Sequence, residues 1–286
     1  MPAVALGAGR RGWIRLRGPP TTASDADDTT VPVVADDVLA LLHSIADECG
    51  AAFRQTADRG PSGVRDGQYA FDLTADGAAM GMIRGAGLSA LTEEFGYERG
   101  RSERCVVVDP IDGSTNASRG IPWFATAACV VDDGAVTAAV VANHAAGTRW
   151  WAVRGSGAFA DGLRIAPSGC DRLADAIVAL NGLPGGPPAW RQTRILGAAA
   201  LDLCLVAGGS LDGYLDCAVE AHGVWDYLAS SLICAEAGAV VVDALGRDLV
   251  VLDPAARRTP VAASTARLAA ELVEHRRRYA GGSPGA

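Results

Sequence analysis

The stretch that most limits what this chain can fold into runs from Cys105 to Ala142. It opens with Cys105-Val106-Val107-Val108 and runs straight into Asp109-Pro110-Ile111-Asp112-Gly113-Ser114-Thr115-Asn116. β-branched side chains suit a pleated strand better than a helix. Pro110 fixes φ and has no N–H for a ladder, so the chain bends out of the strand there. Two more strand-like segments follow, Ala125 to Val131 and Val136 to Ala142, joined as a hairpin through Asp132-Asp133-Gly134. The same three residues cut the apolar run from Phe124 to Ala146, the best candidate for a membrane span, so no span of ~18–20 apolar residues is expected.

Around this stretch the pattern alternates helix and strand. Val38, Leu41, Leu42, Ile45, Ala46 and Cys49 fall at helical steps, and Gly60-Pro61-Ser62-Gly63 marks a loop. A second helix is predicted from near Asp76 through Ala79, Met80, Met82 and Ile83, and a short strand over Trp150 to Val153. From about residue 170 short strands alternate with helices, which makes the second half α/β. A helix opened by Trp225-Asp226 and closed by Gly238 leads into a strand from Ala239 to Asp243. The expected organisation is an extension over 1–35, an α+β subdomain over 36–168, an α/β subdomain over 169–275 and a tail over 276–286. The extension contains Gly7, Gly9 and Gly12 in a dinucleotide-like spacing. Trp13 to Pro20 cannot build the helix such a site needs.

Composition removes several chemistries. All 25 basic residues are arginine, so Schiff-base lysines, Walker A loops and Ser-Lys dyads are excluded. Any phosphate must be met by arginine, backbone N–H groups or metal ions. A formal net charge of -8 speaks against nucleic acid or anionic membranes as partners. Seven scattered cysteines without a C-x-x-C pair read as buried thiols of a reducing cytoplasm. No apolar h-region follows Arg10-Arg11, so no signal peptide is expected.

The chemistry concentrates at Asp109 to Asn116. Two carboxylates three positions apart, bent by a proline, can converge with the Ile111 carbonyl on one hard cation such as Mg²⁺ or Mn²⁺. Gly113 permits close backbone approach, and the N–H groups of Gly113 and Ser114 can cradle a phosphate at a helix start. Glu93 lies sixteen residues earlier in Thr92-Glu93-Glu94. Asp226 stands at a predicted helix start, where it can serve as a ligand or as a helix cap.

Together these segments resemble the inositol monophosphatase family of Mg²⁺-dependent, lithium-sensitive phosphatases. Glu93-Glu94 followed by Asp109 to Asn116 matches its first signature, D-P-[IL]-D-G-[TS]-x-N with acids ahead of it. Trp225 to Gly238 matches the second, W-D-x-x-A-x-x-x-[IL]-x-x-E-A-G, and Gly197 to Gly208 a third stretch. The similarity spans about residues 38 to 270. It implies a layered α-β-α-β-α sandwich of the inositol monophosphatase and fructose-1,6-bisphosphatase type. It also implies two or three Mg²⁺ ions, with Mn²⁺ as a substitute. Glu93, Asp109 and the Ile111 carbonyl would hold the first ion; Asp109, Asp112 and Asp226 would hold the second. Thr74-Ala75-Asp76 resembles another family segment, so Asp76 would order the attacking water, with Ser114 positioning it. Asp112, Gly113, Ser114 and the Ala199 N–H would meet phosphate or substrate. A homodimer is implied too.

The implied reaction is hydrolysis of a small polyol or sugar phosphate, nominally inositol-1-phosphate, by metal-activated water. Family members also act on histidinol phosphate, and a specialised biosynthetic phosphatase is the same-class alternative. A non-catalytic regulator that binds metal and ligand is the alternative of another class. In inositol-type members an acid shortly before W-D touches the substrate. Here strict spacing lands on Val219, with Asp216 and Glu220 nearby, and Glu220 is taken as that contact. Arg99, Arg101 and Arg104 form either a solvated face or a second anion contact, and no role is assigned to any of the four histidines.

Overall fold

The computed structural model describes residues 35–279. The expected extension over 1–35, with its glycine spacing, therefore lies outside the described residues except for its last position, which already begins a helix. Residues 35–279 belong to one compact unit.

An eight-stranded sheet comes first. Its strands are β1 (Ser89–Thr92), β2 (Gly96–Glu98), β3 (Cys105–Asp112), β4 (Ala125–Asp132), β5 (Ala135–Asn143), β6 (Arg149–Val153), β7 (Gly157–Ala160) and β8 (Leu163–Arg164), in the order β2-β1-β3-β4-β5-β6-β7-β8. Most neighbours are antiparallel hairpins, as the Asp132-Asp133-Gly134 turn foretells. The exception is β1, which runs parallel to β3. Every residue of β3 is buried, as befits a strand covered on both faces.

The helices α1 (Ala35–Gln55) and α2 (Ala70–Ala86) cover one face of this sheet. The apolar stripe of α1 that its spacing predicts, including Leu42, Ile45 and Cys49, is buried. The helix α2 starts at Ala70, six residues before the expected Asp76. Asp72, at its third helical position, accepts the Tyr69 N–H at 2.8 Å and so satisfies a backbone donor that an earlier start exposes. A short helix, α3 (Ser114–Arg119), leaves the end of β3.

The second sheet contains β9 (Ile177–Asn181), β10 (Gln192–Arg194), β11 (Gly213–Asp216), β12 (Val240–Asp243) and β13 (Pro260–Ala263), in the order β10-β9-β11-β13-β12. Between the sheets lie α4 (Ala199–Ala207) and α5 (Val224–Ala237), buried nearly all round in the largest apolar cluster. The last helix, α6 (Ala266–Tyr279), closes the other face of the second sheet and runs past the expected boundary at 275. The layers are helix, sheet, helix, sheet, helix, as the resemblance implies. All seven cysteines are free thiols, five of them buried. Among the described residues no helix is long and apolar enough to cross a membrane.

Candidate active site

The register of β1 on β3 brings the first two acids together. Thr92 pairs with Val108, so the next residue of each strand, Glu93 and Asp109, sits at neighbouring strand ends. Between Asp109 and Asp112 the pairing with β4 shifts, so that three steps on β3 face two on β4. The bulge falls on Pro110-Ile111, where no N–H is lost from the ladder. The Thr126 hydroxyl donates to the Pro110 carbonyl at 2.7 Å and anchors the bend. Asp226 enters from α5, in the layer between the sheets.

Glu93, Asp109 and Asp226 each offer an oxygen, and these oxygens all lie within 4.8 Å of one another. Asp109 is buried and its Oδ1 has no hydrogen-bond partner. Burial, then the charge of Glu93, holds the Asp109 carboxyl well above the usual range; burial, then Asp226, does the same to Glu93. Asp112 stands beside this trio. Its Oδ2 accepts the Ala200 N–H at 2.8 Å, and burial followed by Asp226 pushes its pKa up to about 8. The Arg65 guanidinium reaches Glu94 at 3.0 Å but Glu93 only at 3.6 Å. Gln68 also donates to Glu94. Like charges gathered with one oxygen orphaned call for a counter-ion, and a set of hard oxygens suits Mg²⁺ or Mn²⁺.

Asp226 caps its helix and also lies among the other acids. Its Oδ2 accepts the Gly223 N–H at 2.8 Å, capping α5, and the same carboxylate faces the other acids. Gly113 takes φ +85, a conformation natural to glycine, and a Cβ there would meet Ala198 Cβ and the Trp123 carbonyl at 3.0 Å. Asn116 closes the motif by donating to the Trp123 carbonyl at 2.9 Å and the Leu196 carbonyl at 2.8 Å. It thereby ties α3 to the segment that starts α4, where Ala199 is buried beside Ala200.

Two expected residues stand elsewhere in the network. Ser114 donates toward the Ile111 carbonyl at 2.7 Å and Asp72 Oδ1 at 2.8 Å, and does not meet Asp76. Asp76 is instead bonded by the Thr92 hydroxyl at 3.1 Å, with its Oδ1 unpartnered. Burial raises Asp72 to about 6 and Asp76 to about 7. Glu220 takes φ +48 and pairs with Arg247 at 2.9 Å at the surface. Asp216 is the buried acid of that segment, bonded by Asn181 at 3.0 Å. Arg99 pairs with Glu103, and Arg104 with Asp132, as a surface face would.

Sequence reasoning missed Asp72 and His222. The helical step from Asp72 to Asp76 was visible, and it places both acids on one face of α2. His222 lies four residues before Asp226, and its Nδ1 stands 3.1 Å from Asp226 Oδ2. Burial works against a charge on this ring, but Asp226, Asp216 and Asp112 outweigh it and its pKa is raised.

Fold and site define a two-sheet layered protein whose candidate site gathers buried carboxylates that could hold a metal ion. Residues 84–280 match the inositol monophosphatase family. A fructose-1,6-bisphosphatase/inositol-1-monophosphatase of Methanothermobacter thermautotrophicus is 31% identical over 252 residues, covering 80% of this chain and 88% of that protein. A histidinol-phosphatase of Mycobacterium tuberculosis is 34% identical over 168 residues, 53% of this chain and 64% of that protein. The crystal structure of the extragenic suppressor protein SuhB from Bartonella henselae superposes with a TM-score of 0.72 at 26% identity, covering 84% of this chain and 98% of that one. The chain belongs to the inositol monophosphatase family and is a phosphatase.

Proposed function

We propose that the protein is a Mg²⁺-dependent phosphomonoesterase acting on a small polyol or sugar phosphate, with inositol-1-phosphate as nominal substrate. The observation that carries this reading is the convergence of Glu93, Asp109 and Asp226 around an orphaned, buried carboxylate oxygen. These residues, with Asp112 and the Ile111 carbonyl, would hold the ions. When bound, such ions neutralise the substrate's charge, lower the pKa of water and stabilise the departing alkoxide.

The chain's own residues do the rest. Ser114 has one hydroxyl proton and two acceptors, the Ile111 carbonyl and Asp72 Oδ1. Were the Ile111 carbonyl to hold a cation, Asp72 would be left as the acceptor, and the Ser114 oxygen would be free to accept a hydrogen bond from water. Asp72 would then serve as the general base behind Ser114, where the resemblance points to Asp76 as the residue that orders the water. A carboxyl raised to about 6 is well matched to that task near neutral pH. The N–H groups of Gly113 and Ser114 meet the phosphate, and Ala199 contributes at the substrate side.

The alternative substrates are histidinol phosphate and fructose 1,6-bisphosphate, on which named relatives act. A non-catalytic regulator is disfavoured by the intact carboxylate set. Phosphate release from a panel of inositol, histidinol, sugar and nucleotide monophosphates, with Mg²⁺ or with chelator, tests the proposal. The expected result is Mg²⁺-dependent turnover with one clear preference; no turnover of any monoester with Mg²⁺ present would sink it. In the same assay Asp226→Asn is expected to lose at least 100-fold in kcat while remaining folded.

A further inference from the structure

We propose that His222 is a positioning residue for the metal site: Asn181 holds its ring in the Nδ1–H tautomer, and Nδ1–H orients Asp226 through Oδ2. This rests on reading Glu93, Asp109 and Asp226 as a cation site.

The assignment follows from which groups can only donate or only accept. Asp216 Oδ1 accepts the Ala218 N–H at 2.9 Å and lies 3.0 Å from Asn181 Nδ2. A carboxylate only accepts, so the Asn181 amide must turn its nitrogen, not its oxygen, toward Asp216. That nitrogen has a second proton, and it lies 3.1 Å from His222 Nε2. In the neutral ring His222 Nε2 must therefore accept. Tyr214 Oη, 2.9 Å away, is a second group able to donate to the same nitrogen. The unpartnered Asp216 Oδ2 is 3.8 Å from Nε2, too far for a hydrogen bond that would reverse the assignment. The ring proton is left on Nδ1, 3.1 Å from Asp226 Oδ2.

The consequence falls on Asp226. Its Oδ2 receives both the Gly223 N–H at 2.8 Å and the His222 Nδ1–H, while no hydrogen bond among the described residues reaches Oδ1. The carboxylate is pinned by one oxygen and presents the other. His222 is itself held in place: it is buried, and its carbonyl accepts the Arg258 N–H at 2.9 Å. Partners of this kind, one shell behind a metal ligand, typically change metal affinity by 10–100-fold when removed.

Nitrogen-15 NMR of the histidine side chains in metal-free protein reads the tautomer directly, with His222 assigned by its loss in His222→Asn. A proton on Nδ1 with bare Nε2 is expected; a proton on Nε2 overturns the proposal. Calorimetric Mn²⁺ titration then reads the role. His222→Leu is expected to bind at least 10-fold more weakly than wild type. His222→Asn, whose amide nitrogen can stand in for Nδ1, is expected to stay within about threefold. Wild-type affinity in His222→Leu, or equal losses in both variants, overturns it. If His222→Leu fails to fold, Asn181→Ala carries the test: a weaker Mn²⁺ affinity supports the proposal and an unchanged one overturns it. A wild-type protein that takes up no Mn²⁺ overturns the cation site itself, and the metal-free tautomer spectrum tells that failure apart from the other.

Discussion

Asp72 and Asp76 are four residues apart on α2, both buried and both raised above the ordinary aspartate range, yet only one touches Ser114. Short motifs do not separate them, because either acid completes an acceptable spacing. What separates them is where the helix begins and which acid faces the end of β3. Asp72→Asn keeps the shape and the Tyr69 cap acceptor but removes the base, so kcat is expected to fall by ~100-fold or more with little change in melting temperature. Asp76→Asn replaces a carboxyl that burial already makes easy to protonate, and its Thr92 bond survives through the amide oxygen. Less than about tenfold loss is expected there. Parallel kinetics on the two variants decide the matter, and a larger loss in Asp76→Asn would return the base to Asp76.

Elements contribute what single residues cannot. The sixteen-residue separation of Glu93 and Asp109 carries no meaning along the chain; the parallel register of β1 on β3 makes them neighbours. Asn116 does similar work between α3 and the start of α4, with one amide group serving two carbonyls. Asn116→Ala leaves both carbonyls without that donor, and a cost of about 2 kcal/mol is expected. In a domain of this size this is a fall of about 4–8 °C in melting temperature, readable by differential scanning calorimetry. The strands around the Asp132-Asp133-Gly134 turn and the stripe of α1 were legible because their periodicity is local. The start of α2 was not, since its first turn is anchored by an Asp72 cap that propensity alone does not reveal.

The whole molecule concentrates negative charge where burial is deepest. Asp76 and Asp202 are raised to about 7 and Asp112 to about 8, each first by burial, well above the ordinary aspartate range. In the unfolded chain these acids are ionised by pH 5, whereas the metal-free fold still holds their protons at pH 6.5. The native state thus binds more protons than the unfolded state, and stability must fall as pH rises through the folded pKa values. His144, lowered to about 4, acts in the opposite direction only below its unfolded value of 6.5. Between pH 6.5 and 8 the acids dominate, with a slope of up to ~1.4 kcal/mol per pH unit for each proton. Metal-free protein in chelator is therefore expected to melt at a lower temperature at pH 8 than at pH 6.5, with Mg²⁺ restoring more at pH 8. A rise in melting temperature over that window without metal would contradict the burial of these acids.

By itself the sequence determined the family, the layered α/β class, the strand that ends in Asp109-Pro110-Ile111-Asp112, and most of the acids that meet. Those features are local: a periodicity, a proline after β-branched residues, a glycine where φ must be positive. Only the tertiary structure decided that Asp72 and not Asp76 faces Ser114, that Arg247 holds Glu220, and that His222 stands against Asp226. These depend on contacts between α2 and α3, between a loop and the end of β12, and inside a polar cluster fed by β9 and β11. A hydrogen bond joins atoms in space, and chain order does not record which donor reaches which acceptor.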